Sequence, residues 1–318
     1  MLSLITGIGG MVGSHLAELL VKKGDNVAGT YYNSTVSIKE VPKEAALFEC
    51  DIRYFTAVYD IISKHLPNRI FHLAAQSLPV VSLVKPQETF DINCTGTINI
   101  FESIKLIRKQ NPDYNPTVVV ACSSAEYGAS LTEENTPIKE DVQLLPLHPY
   151  GVSKVAQDLL GFQYYKNDGL NSIRVRIFNT TGPRKTNDVC ADFTFRAVEI
   201  EKGNAKKLFV GNISTKRAIT DVRDLVIALD LIAEKGAAGE VYNISGDKAY
   251  QISDIIEIIK KNTQAKIETE VDSRLLRPAD EPIIFGDSTK LKNCTGWQQR
   301  YPIEKTIIDM LNYWRNQN

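Results

Sequence analysis

Leu2-Ser3-Leu4-Ile5-Thr6-Gly7-Ile8-Gly9-Gly10-Met11-Val12-Gly13 decides the fold. A short apolar run enters a turn with glycines at 7, 10 and 13. An amphipathic segment follows to Lys23, with Leu16, Leu19 and Leu20 at helical spacing and Gly24 closing it. A strand, a glycine turn and a helix in that order let backbone N–H groups approach a pyrophosphate at the helix N-terminus. A Cβ at these glycines would block the tight turn and the close packing of helix on strand. A glycine pattern alone is common. Its place between strand and helix makes this one a dinucleotide site, with Gly7, Gly10, Met11, Val12 and Gly13 as cofactor contacts.

Outward from that turn, strand and helix signals alternate. Strands are expected at 26–31, at 47–50 ending on Asp51, at 69–72, and over the β-branched run 117–121. Helical patterns cover Val58, Ile61 and Ile62, and then residues 87–109. This order predicts an α/β fold with a Rossmann-like, doubly wound parallel sheet. A helix from Tyr150 to about residue 166 and a strand at 172–178 continue it. Beyond Thr181 the pattern loosens, with helices expected near 193–200, 222–233, 253–261 and 303–314. Residues 1–180 are therefore expected to form the dinucleotide-binding domain. Residues 181–318 should form mainly a smaller substrate-binding α/β lobe, interleaved with the first.

Composition narrows the class. The 318 residues are 43% apolar and 24% charged, with a formal net charge of −1, as in an ordinary globular protein. Nothing draws the chain to nucleic acid or an anionic membrane, and no apolar run approaches the ~20 residues of a membrane span. Cys50, Cys94, Cys122, Cys190 and Cys294 are scattered without a CxxC pair, so neither a metal site nor a disulfide framework is expected. The N-terminus lacks a basic leader and runs directly into a strand, which makes the cytoplasm the expected location. An acidic residue ending the second strand would bind the ribose 2′-hydroxyl of NAD. Gly29-Thr30-Tyr31-Tyr32-Asn33-Ser34 offers none. A 2′-phosphate is not repelled there, although no arginine grips it. The expectation is NADP(H), with NAD(H) as the alternative and Tyr32 and Asn33 as contacts.

The chemistry points to Pro149-Tyr150-Gly151-Val152-Ser153-Lys154. A tyrosine and a lysine four apart share one helix face. A lysine ammonium beside a phenol is expected to move its pKa down from ~10 toward the working range. Ser123-Ser124-Ala125-Glu126-Tyr127-Gly128 follows the buried strand and emerges at the carboxyl end of the sheet, where ligands of such folds bind. Tyr301 and Lys305 repeat the Tyr/Lys spacing beside Pro302, without a polar partner motif upstream, and read as a chance match.

With His72-Leu73-Ala74-Ala75 added, these motifs resemble the extended short-chain dehydrogenase/reductase family, whose members epimerise, dehydrate or reduce nucleotide-activated sugars. Arg176-Ile177-Phe178-Asn179-Thr180-Thr181-Gly182-Pro183, Asp221-Val222-Arg223-Asp224 and Leu276-Arg277-Pro278-Ala279-Asp280 are similar to its GDP-sugar branch. The similarity spans essentially the whole chain. It implies Tyr150 as acid/base, Lys154 on the nicotinamide ribose, and Ser123 as the hydroxyl residue of the trio. It places Asp51 and Ile52 beside the adenine, and Leu73, Ala74 and Ala75 along the cofactor. Asn179 matches the residue at the sugar-nucleotide phosphates, Arg217 and Arg277 the diphosphate and nucleoside clamp, and Asp280 a ribose contact. Glu126 and Arg184 complete the expected substrate contacts. The resemblance also implies a homodimer packed through the helices at 87–109 and 150–166. Val152, Val155, Leu159, Leu160 and Phe162 spread around more than one face of the second helix.

Dehydratases of this family place a glutamate two residues before the tyrosine of the Tyr-Gly turn, where it removes the sugar C5 proton. Here that position is Ala125, and an extended backbone would aim the neighbouring Glu126 to the opposite side. The resemblance then implies reduction of the 4-keto group of a GDP-4-keto-6-deoxyhexose. GDP-mannose 4,6-dehydration and 4-epimerisation of a nucleotide sugar are the alternatives. A non-catalytic dinucleotide sensor would have no need of Ser123, Tyr150 and Lys154 together.

Overall fold

In the computed structural model, which describes residues 1–276 and 281–317, a seven-stranded parallel sheet runs through the centre of the molecule. The expected contacts Arg277 and Asp280 lie outside the described residues. In chain order the first half comprises β1 (Leu2–Thr6), α1 (Met11–Lys22), β2 (Asn26–Tyr31), β3 (Ala46–Glu49), α2 (Phe55–His65) and β4 (Arg69–His72). Then come α3 (Pro79–Val84), α4 (Pro86–Phe90), α5 (Gly96–Arg108), β5 (Thr117–Ser123), α6 (Pro149–Asp168) and β6 (Ser172–Ile177). Across the sheet the order is Val241–Ile244, β6, β5, β4, β1, β2, β3. The reversal at β1/β4 is the point at which doubly wound folds open a ligand crevice.

The sequence explains the layers. Val118, Val119 and Val120 of β5 are fully buried, because helices cover both faces of a parallel sheet. On one face, Leu16, Ala17 and Leu20 of α1 pack with Val222, Leu225 and Leu229. On the other, Val58, Ile62, Ile100, Phe101 and Ile104 close the core. The helix Val222–Lys235 and the strand Val241–Ile244 return late in the chain to complete the main sheet. A separate core joins the helices Val189–Glu201, Ile252–Lys261 and Ile303–Arg315 through Phe193, Ile255, Ile259, Ile307 and Met310. This is the smaller α/β lobe, threaded through the first. Among the described residues no helix is long and apolar enough to cross a membrane.

One expected element differs. The single helix read at 87–109 is interrupted by a π-helical turn at Asp91–Thr95. The backbone bonds widen there, Gly96 N–H reaching Asp91 O, and side chains add to them. Thr97 Oγ1 donates to the Asn93 carbonyl at 2.6 Å, and the Asn93 amide donates to Gln76 O and Ser153 Oγ. Such bulges concentrate at functional sites.

Candidate active site

The glycine turn has the shape the sequence suggests. Gly7 lies at φ +74°, and a Cβ on it would sit 2.9 Å from the Ala74 backbone. A Cβ on Gly13 would come within 2.3 Å of the Gly7 carbonyl. Gly10 begins α1 with no side-chain cap, and the first turn of α1 contains no acid, so its N–H groups and positive dipole end face the crevice. Ala74, with its N–H bonded to Thr6 Oγ1 at 3.2 Å, closes the turn from the β4 side, followed by Ala75. These features fit a dinucleotide pyrophosphate: a cradle that a Cβ would fill, and uncapped amides.

At the adenosine end, Tyr32 is half exposed and Asn33 turns the chain at φ 48°. Ile52 is buried beneath Gly96 of α5. Burial acts to raise the Asp51 pKa, but hydrogen bonds from Arg53 outweigh it and leave the carboxyl below its ordinary range. Arg53 also lies close enough to Tyr32 to feel its phenol. An arginine does therefore approach the end of β2, supplied by the segment after β3 rather than by β2 itself.

Ser123, Tyr150 and Lys154, the trio expected to act in catalysis, converge at the carboxyl ends of β5 and β6. Ser123 ends β5, and its Oγ accepts from Ala125 N at 3.2 Å. Tyr150 and Lys154 stand on the first turns of α6, which opens with Pro149 after a His148 cap whose Nδ1 accepts from Gly151 N. Only glycine fits at 151: a Cβ would approach the Ala125 carbonyl to 2.6 Å. This close approach sets Tyr150 beside Ser123, whose hydroxyl acts to lower the phenol's pKa.

The phenol's acidity differs from the expectation. Burial pushes Tyr150 up to about 12, with the Ser123 hydrogen bond acting against the rise. Lys154 does share the helix face, but its stem extends past the tyrosine. Its Nζ sits 5.8 Å from the Tyr150 ring centroid and donates to Ala121 O at 2.8 Å and Gln157 Oε1 at 2.7 Å. Burial also lowers the Lys154 pKa.

Glu126 does not line this opening, which corrects both the expected extended backbone and the expected substrate contact. Ser124–Glu126 forms a 3-10 turn, and Glu126 is fully buried. One carboxylate oxygen accepts from Ser123 N at 2.8 Å, and the other lies 3.2 Å from Arg176 Nε. Burial, reinforced by Asp158, raises its pKa to about 8. Cys122, Glu126 and Asp158 bring possible ligand atoms within 4.8 Å of one another. Arg176 is ion-paired with both carboxylates and already supplies the positive charge a metal would bring.

Arg184 is also placed away from the trio. It is bonded to Glu18 of α1 and to Glu40 and Ser14, which joins the segment after Gly182 to the cofactor half. Asn179 and Arg217 remain near the end of β6. Asn179 Oδ1 is a buried oxygen without a hydrogen-bond partner, and Arg217 Nη1 donates to Lys216 O and Glu281 O. The sequence reading missed Gln157, Thr97 and the neutral, fully buried His72, all bonded around Lys154. Helical spacing could have found Gln157, which lies three residues beyond Lys154 and seven beyond Tyr150. The decoy pair is not on one helix face. Tyr301 precedes the helix Ile303–Arg315, and Lys305 pairs with Asp309.

The family model for GDP-mannose 4,6 dehydratase matches residues 4–310. The chain belongs to that family. It is thus an extended short-chain dehydrogenase/reductase, a class of NAD(P)-dependent enzymes acting on nucleotide sugars. Among relatives, it is 28% identical to GDP-6-deoxy-D-mannose reductase of Pseudomonas aeruginosa, covering 98% of this chain and 96% of that one. It is also 28% identical to UDP-glucose 4-epimerase of Lactobacillus helveticus, with coverage of 98% and 96%. Among solved structures, RMD from Pseudomonas aeruginosa complexed with NADPH superposes with a TM-score of 0.86 at 26% identity, covering 100% and 99%.

Proposed function

We propose that the chain reduces the 4-keto group of a GDP-4-keto-6-deoxyhexose, with NADPH as donor and NADH as the alternative. The observation that carries this reading is the environment of Ala125 and Glu126. Alanine occupies the position of the dehydratase base. The adjacent Glu126 is fully buried, with one oxygen on Ser123 N–H and the other beside Arg176, so it does not reach a sugar C5 proton. When bound, the reduced nicotinamide supplies the hydride for C4. Tyr150, holding its proton at neutral pH, donates it to the C4 oxygen, and Ser123 holds that oxygen in line. The ketone becomes an alcohol as the cofactor is oxidised. Dehydration and epimerisation both begin by oxidation and need the phenolate, which burial of Tyr150 disfavours.

On this reading the Asn179 amide N–H and Arg217 donate to the sugar nucleotide's phosphates, Arg277 completes the diphosphate and nucleoside clamp, and Asp280 accepts from a ribose hydroxyl. The active unit is a homodimer. On α6, Val152, Leu159 and Phe162 recur at helical spacing and are 43%, 56% and 42% exposed, an apolar stripe suited to a second copy. Loss of reduced-cofactor absorbance on mixing purified protein with the keto sugar tests the reaction. Conversion of GDP-mannose without added reductant would replace it with dehydration. Interconversion of 4-epimers without net cofactor change would replace it with epimerisation.

A further inference from the structure

The catalytic lysine is the terminus of a buried polar chain that begins at the glycine turn, and every proton in that chain can be assigned. Thr97 has one hydroxyl proton, and it goes to the Asn93 carbonyl at 2.6 Å. Thr97 Oγ1 must therefore accept from both Gln157 Nε2 at 2.7 Å and His72 Nε2 at 3.0 Å. That fixes the His72 tautomer with its proton on Nε2. His72 Nδ1 is then an acceptor for the Thr6 hydroxyl at 2.8 Å, and Thr6 Oγ1 accepts from Ala74 N. At the other end, Gln157 has its amide N–H on Thr97, which leaves Oε1 as the acceptor for Lys154. The chain cannot relay a proton, because its two arms converge on Thr97 and stop. What it can do is hold atoms in place.

We propose that Gln157 is a positioning residue for Lys154, fixing the ammonium and registering it, through Thr97 and His72, against the glycine turn that cradles the cofactor. The proposal rests on the reading of Ser123, Tyr150 and Lys154 as the reacting trio. Two of the three Lys154 N–H groups are committed, to Ala121 O on β5 and to Gln157 Oε1 one turn further along α6. The third is thereby aimed. Without Gln157 only one anchor remains, and the lysine stem has rotamer freedom to swing. The groups facing the ammonium are Cys122 on β5, Cys94 in the π-helical turn, Glu126 in the 3-10 turn, His72 on β4 and Tyr150 on α6. Burial together with the Lys154 charge keeps His72 neutral, down to about 3, so Gln157 is the acceptor on which the ammonium's orientation depends. The π-helical turn belongs to the same device, since it offers the Asn93 carbonyl to Thr97 and the Asn93 amide to Ser153 on α6.

The test uses four variants of the full chain. Gln157→Leu removes both the acceptor and the donor. Gln157→Glu keeps the acceptor for Lys154. Gln157→Asn keeps the amide but is one methylene too short to span both partners, and it is read in the same way if the leucine variant fails to fold. Lys154→Met reports on the trio itself. Misplacing a catalytic group from a distance costs on the order of 10- to 100-fold. Gln157→Leu and Gln157→Asn are expected to lose kcat by about that factor, with KM for the sugar nucleotide near wild type. In the oxidative direction, their rise of rate with pH moves to higher pH, because the displaced charge no longer favours the phenolate. Gln157→Glu recovers most of the rate. Wild-type kcat and pH profile in both the leucine and asparagine variants, or equal loss in the leucine and glutamate variants, overturns the positioning role. A fully active Lys154→Met overturns the trio. An inactive Lys154→Met beside unaffected Gln157 variants overturns only the positioning role.

Discussion

Tyr150→Phe removes one oxygen from the site and keeps the ring, the helix and the packing. The phenol is 9% exposed, bonded to Ser123, and raised by burial to about 12, so near neutral pH nearly every molecule carries the proton to be donated. Losing a positioned general acid costs ~10²–10⁴ in rate. At ~1.4 kcal/mol per decade this is about 3–5 kcal/mol of barrier. Stability should change little, because the net worth of the lost hydrogen bond is about 1 kcal/mol. Tyr301→Phe is the matched control, with the same chemical change and a lysine four residues on. There Arg223 lies 3.8 Å over the ring, a contact phenylalanine retains, and Lys305 turns to Asp309 at 2.6 Å. Initial rates of reduced-cofactor consumption with the keto sugar give the comparison, and fluorescence quenching reports cofactor binding. The reductive rate of the unaltered chain should also stay level from about pH 6 to 9, since the phenol ionises only as pH rises toward its raised pKa. Full activity in Tyr150→Phe would refute the mechanism. Equal loss in the two phenylalanine variants would indicate a folding defect instead.

Asp158 is fully buried and bonded to both Arg174 and Arg176, so Asp158→Ala leaves Arg174 buried without its acid and Arg176 with Glu126 alone. The expected loss is about 3–5 kcal/mol in urea unfolding, and an unchanged midpoint would mean that water reaches the pair. Glu126 has a folded pKa of about 8 against an ordinary 4.5, so its contribution to stability is complete below 4.5 and is lost as pH rises through 8. Glu126→Gln copies the protonated form. It should gain on wild type between those limits and level off above them, and parallel unfolding curves at pH 5 and pH 8.5 would count against the buried proton. Leu159→Asp places a charge in the exposed stripe of α6 and should give monomers by light scattering, whereas an intact dimer would locate the contact elsewhere.

The sheet was legible because its signals are local. Strand β1, the glycine turn and α1 follow one another without interruption, and after Thr117 the run 118–121 has no polar residue to suggest an exposed face. The trio was legible for the same reason, since Tyr150 and Lys154 share a helix and Ser123 ends a strand. What escaped was set by contacts across the fold. The π-helical turn depends on Asn93 reaching Ser153, sixty residues away, and no periodicity encodes that. Arg184 was expected as a substrate contact, yet its partners are Glu18 and Glu40, more than 140 residues earlier. Lys154 was expected to tune Tyr150 because spacing fixes where two residues emerge. Spacing does not fix where a four-carbon stem ends.

The protonation states around Ser123 bear on the direction of the chemistry. Tyr150 and Glu126 are two acids beside that serine, Tyr150 next to its hydroxyl and Glu126 accepting from its backbone N–H. Burial raises both, to about 12 and about 8, so both hold protons at neutral pH. Arg176 acts to lower Glu126, but burial and the neighbouring Asp158, to which its Nε is bonded, outweigh it. Lys154, its Nζ 5.8 Å from the ring centroid and bonded to Ala121 and Gln157, favours the phenolate too weakly to offset burial. At neutral pH such a site is loaded with protons and offers neither group as a free base, although each raised pKa also makes its group a weaker acid. Reduction of a ketone needs a proton for the nascent alkoxide, whereas dehydration and epimerisation must first remove one from a sugar hydroxyl. Oxidised cofactor would bring positive charge to the phenol and favour its ionisation, so the reverse reaction should depend on pH much more steeply than the forward one.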